Sequence, residues 1–374
     1  VGDELLINLS KSMNVLCKKA DCTLARVGGD EFVVWQNNRY ALEGMQQVSE
    51  QLVELVEEHH FQWLGQKMSL GLSVGLAVGQ ANFELTELIS RADAACRIAK
   101  IPGNANVSNY EESDPDLLEL RRQERWAAQI PNMIIENSFC LYGQKIMPLQ
   151  QDTAHSHIEV LLRGLNSAGD IILPGEFLPA AERFGLMPKI DRWVIETLLD
   201  SNLDTQSHFS VNISAHTLAD KAYLPELVRI VEESGKAHQL IFEITESAIM
   251  TSIETAQEYI SNLKALGCRF SLDDFGSGFS SFAYLRDLKV DYLKIDGSLI
   301  KVLGHRDSDT ALVQAIVSMS LSLGLKTIAE YVETPKIANI LQQMQVDLGQ
   351  GFGMHKPEPL DNLLFSPAKI LKCS

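Results

Sequence analysis

Thiol and imidazole metal motifs are missing from this sequence of 374 residues. Its six cysteines form no CxxC pair and show no metal-ligand spacing, and its nine histidines show no ligand-like spacing. The cysteines are therefore expected to be reduced thiols with structural roles, as is usual in the cytosol. This usage argues against a disulfide framework and against a metal site built from sulfur.

Long hydrophobic runs are also scarce. The most apolar long window, from Ala311 to Ala329, contains Gln314, several serines, Gly324 and Lys326, so a core helix running into a barrel strand explains it better than a membrane span. Repeats of fixed short period and low-complexity tracts are absent, which disfavours a solenoid. No signal peptide is present, and the chain opens at Val1 inside a helix-like pattern. We therefore expect a cytoplasmic fragment of a longer protein that can carry an upstream sensory or membrane segment.

An excess of basic residues is likewise lacking. The chain has 32 Lys and Arg against 49 Asp and Glu, a formal net charge of −17. This charge disfavours a nucleic-acid polymer as partner, but bound metal ions could still make a local site for a small anionic ligand. A hydrophobic content of 45% suits an ordinary globular protein with about two domains of roughly 150 residues each.

The composition changes twice along the chain. Residues 1–110 alternate helical and strand patterns: a helix to about Lys18, the hairpin-like TLARVGGDEFVVW, a helix over Ala41–His59, a strand over Met68–Val78 and a helix over Leu85–Lys100. Residues 111–137 are charge-dense with apolar positions at helical spacing, which predicts a helical linker. Residues 138–374 then alternate strand and helix patterns.

Polar residues stand at or near the ends of apolar, β-branched runs in the second part of the chain. Such runs are typical of buried parallel strands, and each is followed by a stretch long enough for a helix. In a barrel of these units the carboxyl ends of the strands meet on one face, where the active site lies. Acids, amides and a lysine meeting there predict a divalent-metal site with a base beside it. The residues are Glu159, Asn212, Glu243, Asp273, Asp274, Lys294, Glu330 and Gln350.

Residues 28–32 read GGDEF. Two glycines in a hairpin permit a tight turn and a close backbone approach to a phosphate, although an acidic hairpin tip is more often plain turn chemistry. The string, together with VGDELL (1–6), SVG (73–75) and ADAACRIAK (92–100), resembles the GGDEF (diguanylate cyclase) family. The resemblance implies a domain that condenses GTP into cyclic di-GMP, with GTP and metal at the motif. The motif residues are Gly28, Gly29, Asp30, Glu31 and Phe32.

The first lobe departs from that family in three ways. The family's first strand, with its metal-binding aspartate, and the guanine-recognising segment would lie upstream of Val1. The usual GRN is replaced by Gly103–Asn104–Ala105, and the inhibitory RxxD pattern by Lys19 and Cys22. We therefore predict a truncated α+β cyclase-like domain that does not cyclise GTP and serves as a nucleotide-binding or regulatory lobe.

Residues 139–365 resemble the EAL phosphodiesterase family throughout. The name-giving motif reads Glu159–Val160–Leu161 and continues into Leu162–Arg163, after which Gly164 replaces a common tryptophan. The resemblance implies an α/β fold with a modified TIM-type (β/α) barrel that hydrolyses cyclic di-GMP to linear pGpG with two Mg²⁺ or Mn²⁺ ions. Further matching strings are FLPAAE (177–182), IDRWV (190–194), SVNIS (210–214), FEITES (242–247), DDFGSGFSSFAYL (273–285), DYLKID (291–296), AEYVET (329–334) and QGFGMHKPEP (350–359).

The resemblance also implies a role for each strand-end residue. Hard divalent ions prefer carboxylate and amide oxygens. The first ion is assigned to Glu159, Asn212, Glu243 and Asp273, and the second to Asp273 and Asp274, with Glu330 assisting through water. Lys294 is expected to position or deprotonate the attacking water, because burial beside two cations lowers the pKa of a lysine. Gln350 is expected to orient the same water.

Outside this set, Arg163 and Gln144 are expected to contact the substrate, and Glu246 to brace the DDFGSGFSS loop, where Ser277 replaces a usual threonine. His355 is expected to be peripheral. Family behaviour implies a homodimer through the EAL domain.

Two alternatives stay open. The first is a non-catalytic cyclic di-GMP receptor instead of an enzyme. The second is a purely structural ion pair at Lys294, and likewise at Asp296. Tyr331 replaces a common glycine beside Glu330 and is expected to crowd the second metal.

Overall fold

The computed structural model describes residues 2–37, 41–58, 61–63, 66–68, 70–79, 84–101, 106–150, 156–204, 206–276, 284–303 and 307–364. The chain forms two compact units, residues 1–122 and 123–374. Each unit has its own hydrophobic core. Within the described ranges, none of the helices combines the length and apolarity needed to span a bilayer.

The first unit is built from helices and short strand pairs. Strands β1–β2 and β3–β4 pair antiparallel, and β5–β6 pair parallel. The strand predicted over Met68–Val78 is not continuous in the described part: one strand ends at Met68, and the next covers Val74–Leu76. The elements are α1 (Gly2–Lys19), β1 (Thr23–Gly28), β2 (Glu31–Trp35), α2 (Ala41–Glu57), β3 (Phe61–Trp63), β4 (Gln66–Met68), β5 (Val74–Leu76), α3 (Leu85–Ala99) and β6 (Val107–Asn109).

Helix α4 (Pro115–Ile135) lies within the predicted linker and crosses the boundary between the two units. Its second half belongs to the second unit, where Ile130 is fully buried and Trp126 lies against Phe177 with ring centroids 6.1 Å apart. The domain limits at residues 110 and 138 stay a prediction.

The second unit alternates strands and helices. A short 3₁₀ helix, Ala237–Gln239, precedes its fifth strand. The elements are β7 (Phe139–Pro148), β8 (Ser156–Leu165), β9 (Ile171–Ile172), α5 (Pro174–Arg183), α6 (Met187–Asp200), β10 (Ser207–Asn212), α7 (Ala215–Ala219), α8 (Leu224–Ser234), β11 (Leu240–Thr245), α9 (Glu246–Thr251), α10 (Ile253–Ala265), β12 (Arg269–Phe275), α11 (Leu285–Leu288), β13 (Tyr292–Ile295), α12 (Gly297–Lys301), α13 (Asp307–Leu323), β14 (Lys326–Ala329), α14 (Pro335–Gln343), β15 (Leu348–Gly349), β16 (Glu358–Pro359) and α15 (Leu360–Leu364).

Eight strands close a barrel in the order β7-β8-β10-β11-β12-β13-β14-β15, with β15 pairing back onto β7. The predicted modified (β/α) barrel is therefore confirmed. Its modification lies in β7, which runs antiparallel to both neighbours. The other barrel strands pair parallel with one another. The sequence patterns predicted only parallel strands, because an antiparallel strand buried on both sides has the same continuous apolar pattern.

Capping residues begin helices directly after three of the strands. The side chains of Ser214, Thr245 and Asp296 accept hydrogen bonds from backbone N–H groups in the first turns of α7, α9 and α12. Asp296 Oδ1 accepts from Ser298 N at 2.9 Å, so this carboxylate caps a helix rather than pairing with a lysine. The short turns keep the carboxyl ends of β10, β11 and β13 open toward one face.

Candidate active site

Strand register aligns the predicted site residues on the inner face of the barrel. Asn212 of β10 stands beside Glu243 of β11, and Gln144 of β7 stands beside Glu159 of β8. Neighbouring residues in register point to the same side of a sheet. Glu159, Glu243, Lys294 and Gln350 are all buried, which fits side chains that face the barrel interior.

A bulge in β12 brings two consecutive carboxylates to one place. Successive residues of a regular strand point to opposite faces, so Asp273 and Asp274 should diverge. Here the register with β13 shifts between Leu272 and Phe275, and Asp274 has a φ of +56°. One ligand oxygen from each aspartate and one from Glu330 consequently lie within 4.8 Å of one another.

Lys294 lies at the centre of the acidic cluster. Its Nζ atom is 2.8 Å from Glu330 Oε1, 2.9 Å from Glu243 Oε2, 3.2 Å from Asp273 Oδ1 and 3.7 Å from Glu159 Oε2. The side chain is 1% exposed. Four carboxylates, three from different strands and one from the residue after β14, thus surround one ammonium group, which exceeds the needs of a single structural ion pair.

A chain of amides holds Glu159 from the other side. Asn212 Nδ2 donates to Glu159 Oε1 at 3.0 Å, and Gln350 Nε2 donates to Glu159 Oε2. Gln350 Nε2 also reaches Gln144 Oε1 at 3.1 Å, and Gln144 Nε2 donates to the carbonyl oxygen of His355 at 2.8 Å. Gln144 therefore connects buried groups in this structure, and its contact with the substrate stays a prediction.

Burial and mutual repulsion perturb the carboxyl groups. Burial, opposed by Lys294 and reinforced by Glu159 and Asp273, raises the pKa of Glu243 to about 8. Burial likewise raises the pKa of Glu330 to about 7, again against the effect of Lys294. Burial followed by Asp273 raises the pKa of Asp274. The metal-free cluster therefore binds protons that isolated carboxylates would release.

The pKa of Lys294 depends on the carboxylates that surround its ammonium group. Burial lowers the pKa of its ammonium group, but the surrounding carboxylates outweigh burial and raise it above the ordinary value. A lowered pKa would require cations that neutralise those carboxylates.

The donor set fits divalent cations. If Asp274 and the four carboxylates around Lys294 are all ionised, the cluster carries a formal charge of −4 after the ammonium is counted. Burying such an excess is costly unless cations balance it. Glu243 Oε1 and Gln350 Oε1 are buried and accept no hydrogen bond from any residue that the structure describes. Free oxygens beside carboxylates are suitable ligands for Mg²⁺ or Mn²⁺.

Two predicted residues lie outside the network around Lys294. The Arg163 guanidinium lies 5.2 Å from the Tyr142 ring centroid, and its Nη1 donates to the carbonyl of Leu162 at 2.7 Å. Glu246 Oε1 accepts from Tyr284 Oη at 2.8 Å. Tyr284 directly follows residues 277–283, so Ser277 and most of the loop assigned to Glu246 lie outside the described residues. Both roles stay predictions.

His355 contacts the site more closely than its sequence position indicated. Its carbonyl accepts from Gln144, its Nδ1 accepts from Lys145 N at 3.3 Å, and its Nε2 lies 3.0 Å from Glu358 Oε1. A sequence pattern does not reveal this role, because the contact joins residues 211 positions apart and involves a backbone oxygen.

Two departures from the EAL pattern have structural explanations. A Cβ at Gly164 would lie 3.1 Å from Met133 Cε and 3.3 Å from Ile172 Cβ, so neighbouring side chains fill the space that a tryptophan needs. Tyr331 adopts a φ of +59°, a conformation that costs a non-glycine residue about 1–2 kcal/mol. Its ring lies over Lys301, with Nζ 3.8 Å from the centroid.

The GGDEF hairpin is formed as predicted from its glycines. Gly29 has a φ of +52°, and Arg26 donates from Nε and Nη2 to its carbonyl at 2.9 and 2.6 Å. Asp30 and Glu31 are exposed. Residues 103–105 lie outside the described part of the chain. The assignment of GTP or metal to this motif stays a prediction.

Two known family profiles match the two parts of the chain. The profile of the EAL domain matches residues 127–357, and the profile named diguanylate cyclase, GGDEF domain, matches residues 1–106. The chain belongs to the EAL domain family. Because its first part is a GGDEF domain, the predicted GGDEF–EAL tandem is confirmed.

Two curated relatives match nearly the whole chain. The chain is 35% identical over 369 residues to cyclic di-GMP phosphodiesterase PdeB of Shewanella oneidensis, with 96% of this chain and 42% of that protein covered. It is 32% identical over 382 residues to the bifunctional diguanylate cyclase/cyclic di-GMP phosphodiesterase MucR of Pseudomonas aeruginosa, with 98% and 54% covered. The chain thus spans about half the length of these relatives.

Solved structures match the barrel unit. The phosphodiesterase of Pseudomonas aeruginosa MucR in complex with cyclic di-GMP matches with a TM-score of 0.58 and 31% identity, covering 64% of this chain and all of that chain. The EAL domain of Pseudomonas aeruginosa FimX bound to cyclic di-GMP matches with a TM-score of 0.59 and 29% identity, covering 62% and 96%.

Proposed function

We propose that this protein is a cyclic di-GMP phosphodiesterase that hydrolyses its substrate to linear pGpG. The observation that carries the proposal is the cluster of five carboxylates and one lysine at the open end of the barrel. The names and bound ligands of the relatives supply the substrate class.

Two divalent ions, when bound, would lower the pKa of a water molecule and neutralise the phosphodiester oxygens. Glu159, Asn212, Glu243 and Asp273 would hold one ion, and Asp273 and Asp274 the other, with Glu330 beside it. The bulge at Asp274 supports this division, because it gives the second position a carboxylate that a regular strand would direct away.

The residues around the ions orient the water and receive its proton. Lys294 Nζ lies within hydrogen-bond distance of Glu243 and Glu330, so it is placed to hold a water in this cluster. Bound cations would lower its pKa, and the neutral amine could then take the proton as the O–H bond of the water breaks. Gln350 donates through Nε2, and its Oε1 has no partner among the described residues, so this oxygen can accept a hydrogen bond from the same water.

The finer assignments belong to the same proposal. Arg163 would contact the substrate phosphate, the GGDEF lobe would bind GTP without cyclising it, and the EAL domain would form a homodimer. The protein would act in the cytoplasm.

Replacing Asp274 by asparagine distinguishes a phosphodiesterase from a non-catalytic cyclic di-GMP receptor. Asparagine keeps the shape but removes the charge that the second ion needs, so we expect metal-dependent production of pGpG to fall by at least about 100-fold. Binding of cyclic di-GMP should persist. Chromatography of the products and calorimetric binding measure both quantities, and Asp361→Asn, an exposed change in α15, is the control. Full binding without turnover in the wild type would favour a receptor.

Metal affinity should increase with pH. Because the pKa values of Glu243 and Glu330 are raised, these carboxyls are partly protonated in the neutral range and must lose protons to bind a cation. We expect Mn²⁺ affinity to rise from about pH 6 to about pH 8 and then level off. Over the same range, the number of protons that the carboxyls release on binding an ion should fall. Calorimetry in buffers of different ionisation enthalpy measures both. Constant affinity would show that the carboxyls are already ionised.

A further inference from the structure

Tyr331 combines three features that the proposed chemistry does not use. The residue directly follows Glu330 in sequence. Tyr331 is 42% exposed, and its backbone has a φ of +59°, a value that favours glycine. An exposed aromatic ring held in an unfavourable backbone conformation requires a surrounding structure that fixes it, and such residues cluster at binding sites.

Helix α12 supports this ring. Lys301 places its Nζ 3.8 Å from the ring centroid, in the geometry of a cation–π contact. A Cβ on Gly297 would come within 3.0 Å of Tyr331 Cβ and 3.6 Å of Cγ and Cδ2. The missing side chain at position 297 therefore lets the tyrosine lie directly on the first turn of the helix.

The supported ring borders the acidic cluster. The Glu330 carboxylate contacts Lys294 at 2.8 Å, and Val332 N donates to the carbonyl of Gln350 at 2.8 Å, so both neighbours of Tyr331 are tied to site residues. Asp296, which precedes Gly297, is close enough to Asp274 to affect its ionisation. Tyr331 thus lies at the edge of the site and not within it.

We propose that Tyr331 is a specificity-determining residue whose ring stacks against one guanine base of the cyclic dinucleotide. This inference rests on the proposed function. A planar, uncharged base is not repelled by the neighbouring carboxylates, and its π face suits an aromatic ring supported from behind by a cation. The ring therefore helps to bind substrate, whereas the sequence predicted that it would crowd the second metal.

Equilibrium binding of cyclic di-GMP in EDTA tests the inference without turnover. Tyr331→Gly removes the ring and relieves the backbone, so we expect Kd to rise about 5- to 150-fold while the thermal midpoint stays equal or increases. Tyr331→Phe keeps the stacking face and should bind within about twofold of the wild type. With metal present, Tyr331→Gly should raise KM far more than it lowers kcat.

A second variant and a control complete the test. Gly297→Ala adds the Cβ that collides with Tyr331 and should also weaken binding, whereas Phe184→Ala removes a ring of similar exposure, 43%, next to α5 and should not. Undiminished binding by Tyr331→Gly overturns the inference while the proposed function stands. A wild-type protein that neither binds nor hydrolyses cyclic di-GMP overturns both.

Discussion

Lys294→Met is expected to lower the rate of cyclic di-GMP hydrolysis by about 10²- to 10⁴-fold, the usual contribution of a positioned acid or base. Methionine keeps most of the side-chain volume but removes the Nζ atom that reaches four carboxylates. The nucleotide should still bind, because substrate contacts are assigned to residues at the rim. Rates of pGpG formation at saturating substrate and Mn²⁺ measure the loss.

The same variant should show an unusual stability profile. Without its ammonium, the buried cluster loses its compensating charge, and removing one partner of a buried pair typically costs about 3–5 kcal/mol. Divalent cations supply that charge, so Mn²⁺ should raise the thermal midpoint of Lys294→Met more than that of the wild type.

A matched control distinguishes a catalytic role of Lys294 from a structural one. Lys236→Met removes an ammonium whose partners among the described residues are the carbonyl oxygens of Leu199 and Ser201, in the same unit. It should leave hydrolysis unchanged. If Lys294→Met also hydrolyses at the wild-type rate, the lysine is a structural ion pair, which is the alternative that the sequence left open.

The positions of the site residues follow from local sequence. Apolar runs end at Asn212 and Lys294, and strand ends in a barrel converge, so pattern alone brings these side chains to one face. The caps that begin helices directly after the strands are also readable from sequence, as at Ser214 and Thr245.

The remaining features depend on contacts between distant parts of the chain. The shared direction of Asp273 and Asp274 needs a bulge that appears only against β13. The contact of Gln144 with Gln350 joins strands on either side of the barrel closure, 206 residues apart. Alternation within one strand carries no information about either, since both arise from the register between strands.

The protonation state of Lys294 also depends on contacts that the sequence does not reveal. A sequence reveals that a lysine follows an apolar run, but not how many carboxylates surround it or whether cations neutralise them. The four contacts that raise its pKa come from β8, β11, β12 and the residue after β14.

Gly351→Ala is expected to disrupt the site as a whole. A Cβ at this position would lie 2.3 Å from Val332 N and 2.4 Å from Val332 O, distances that no relaxation of a side chain can relieve. The backbone would have to separate, which breaks the hydrogen bond from Val332 N to the Gln350 carbonyl at 2.8 Å. Because Glu330 and Gln350 flank this contact, both would move away from Lys294 and Glu159.

We therefore expect Gly351→Ala to lower the free energy of unfolding by about 3 kcal/mol or more and to remove hydrolysis. Urea unfolding, followed by assays at a temperature where the variant is folded, separates the two effects. Gly175→Ala is the matched control, because no atom of the described part of the chain lies within 4 Å of its added Cβ and the residue is inside α5. There alanine should stabilise by about 0.5–1 kcal/mol. A folded Gly351→Ala with wild-type turnover would show that the ends of β14 and β15 can separate without displacing Glu330 and Gln350, and that the rigidity assigned to the site is unnecessary for catalysis.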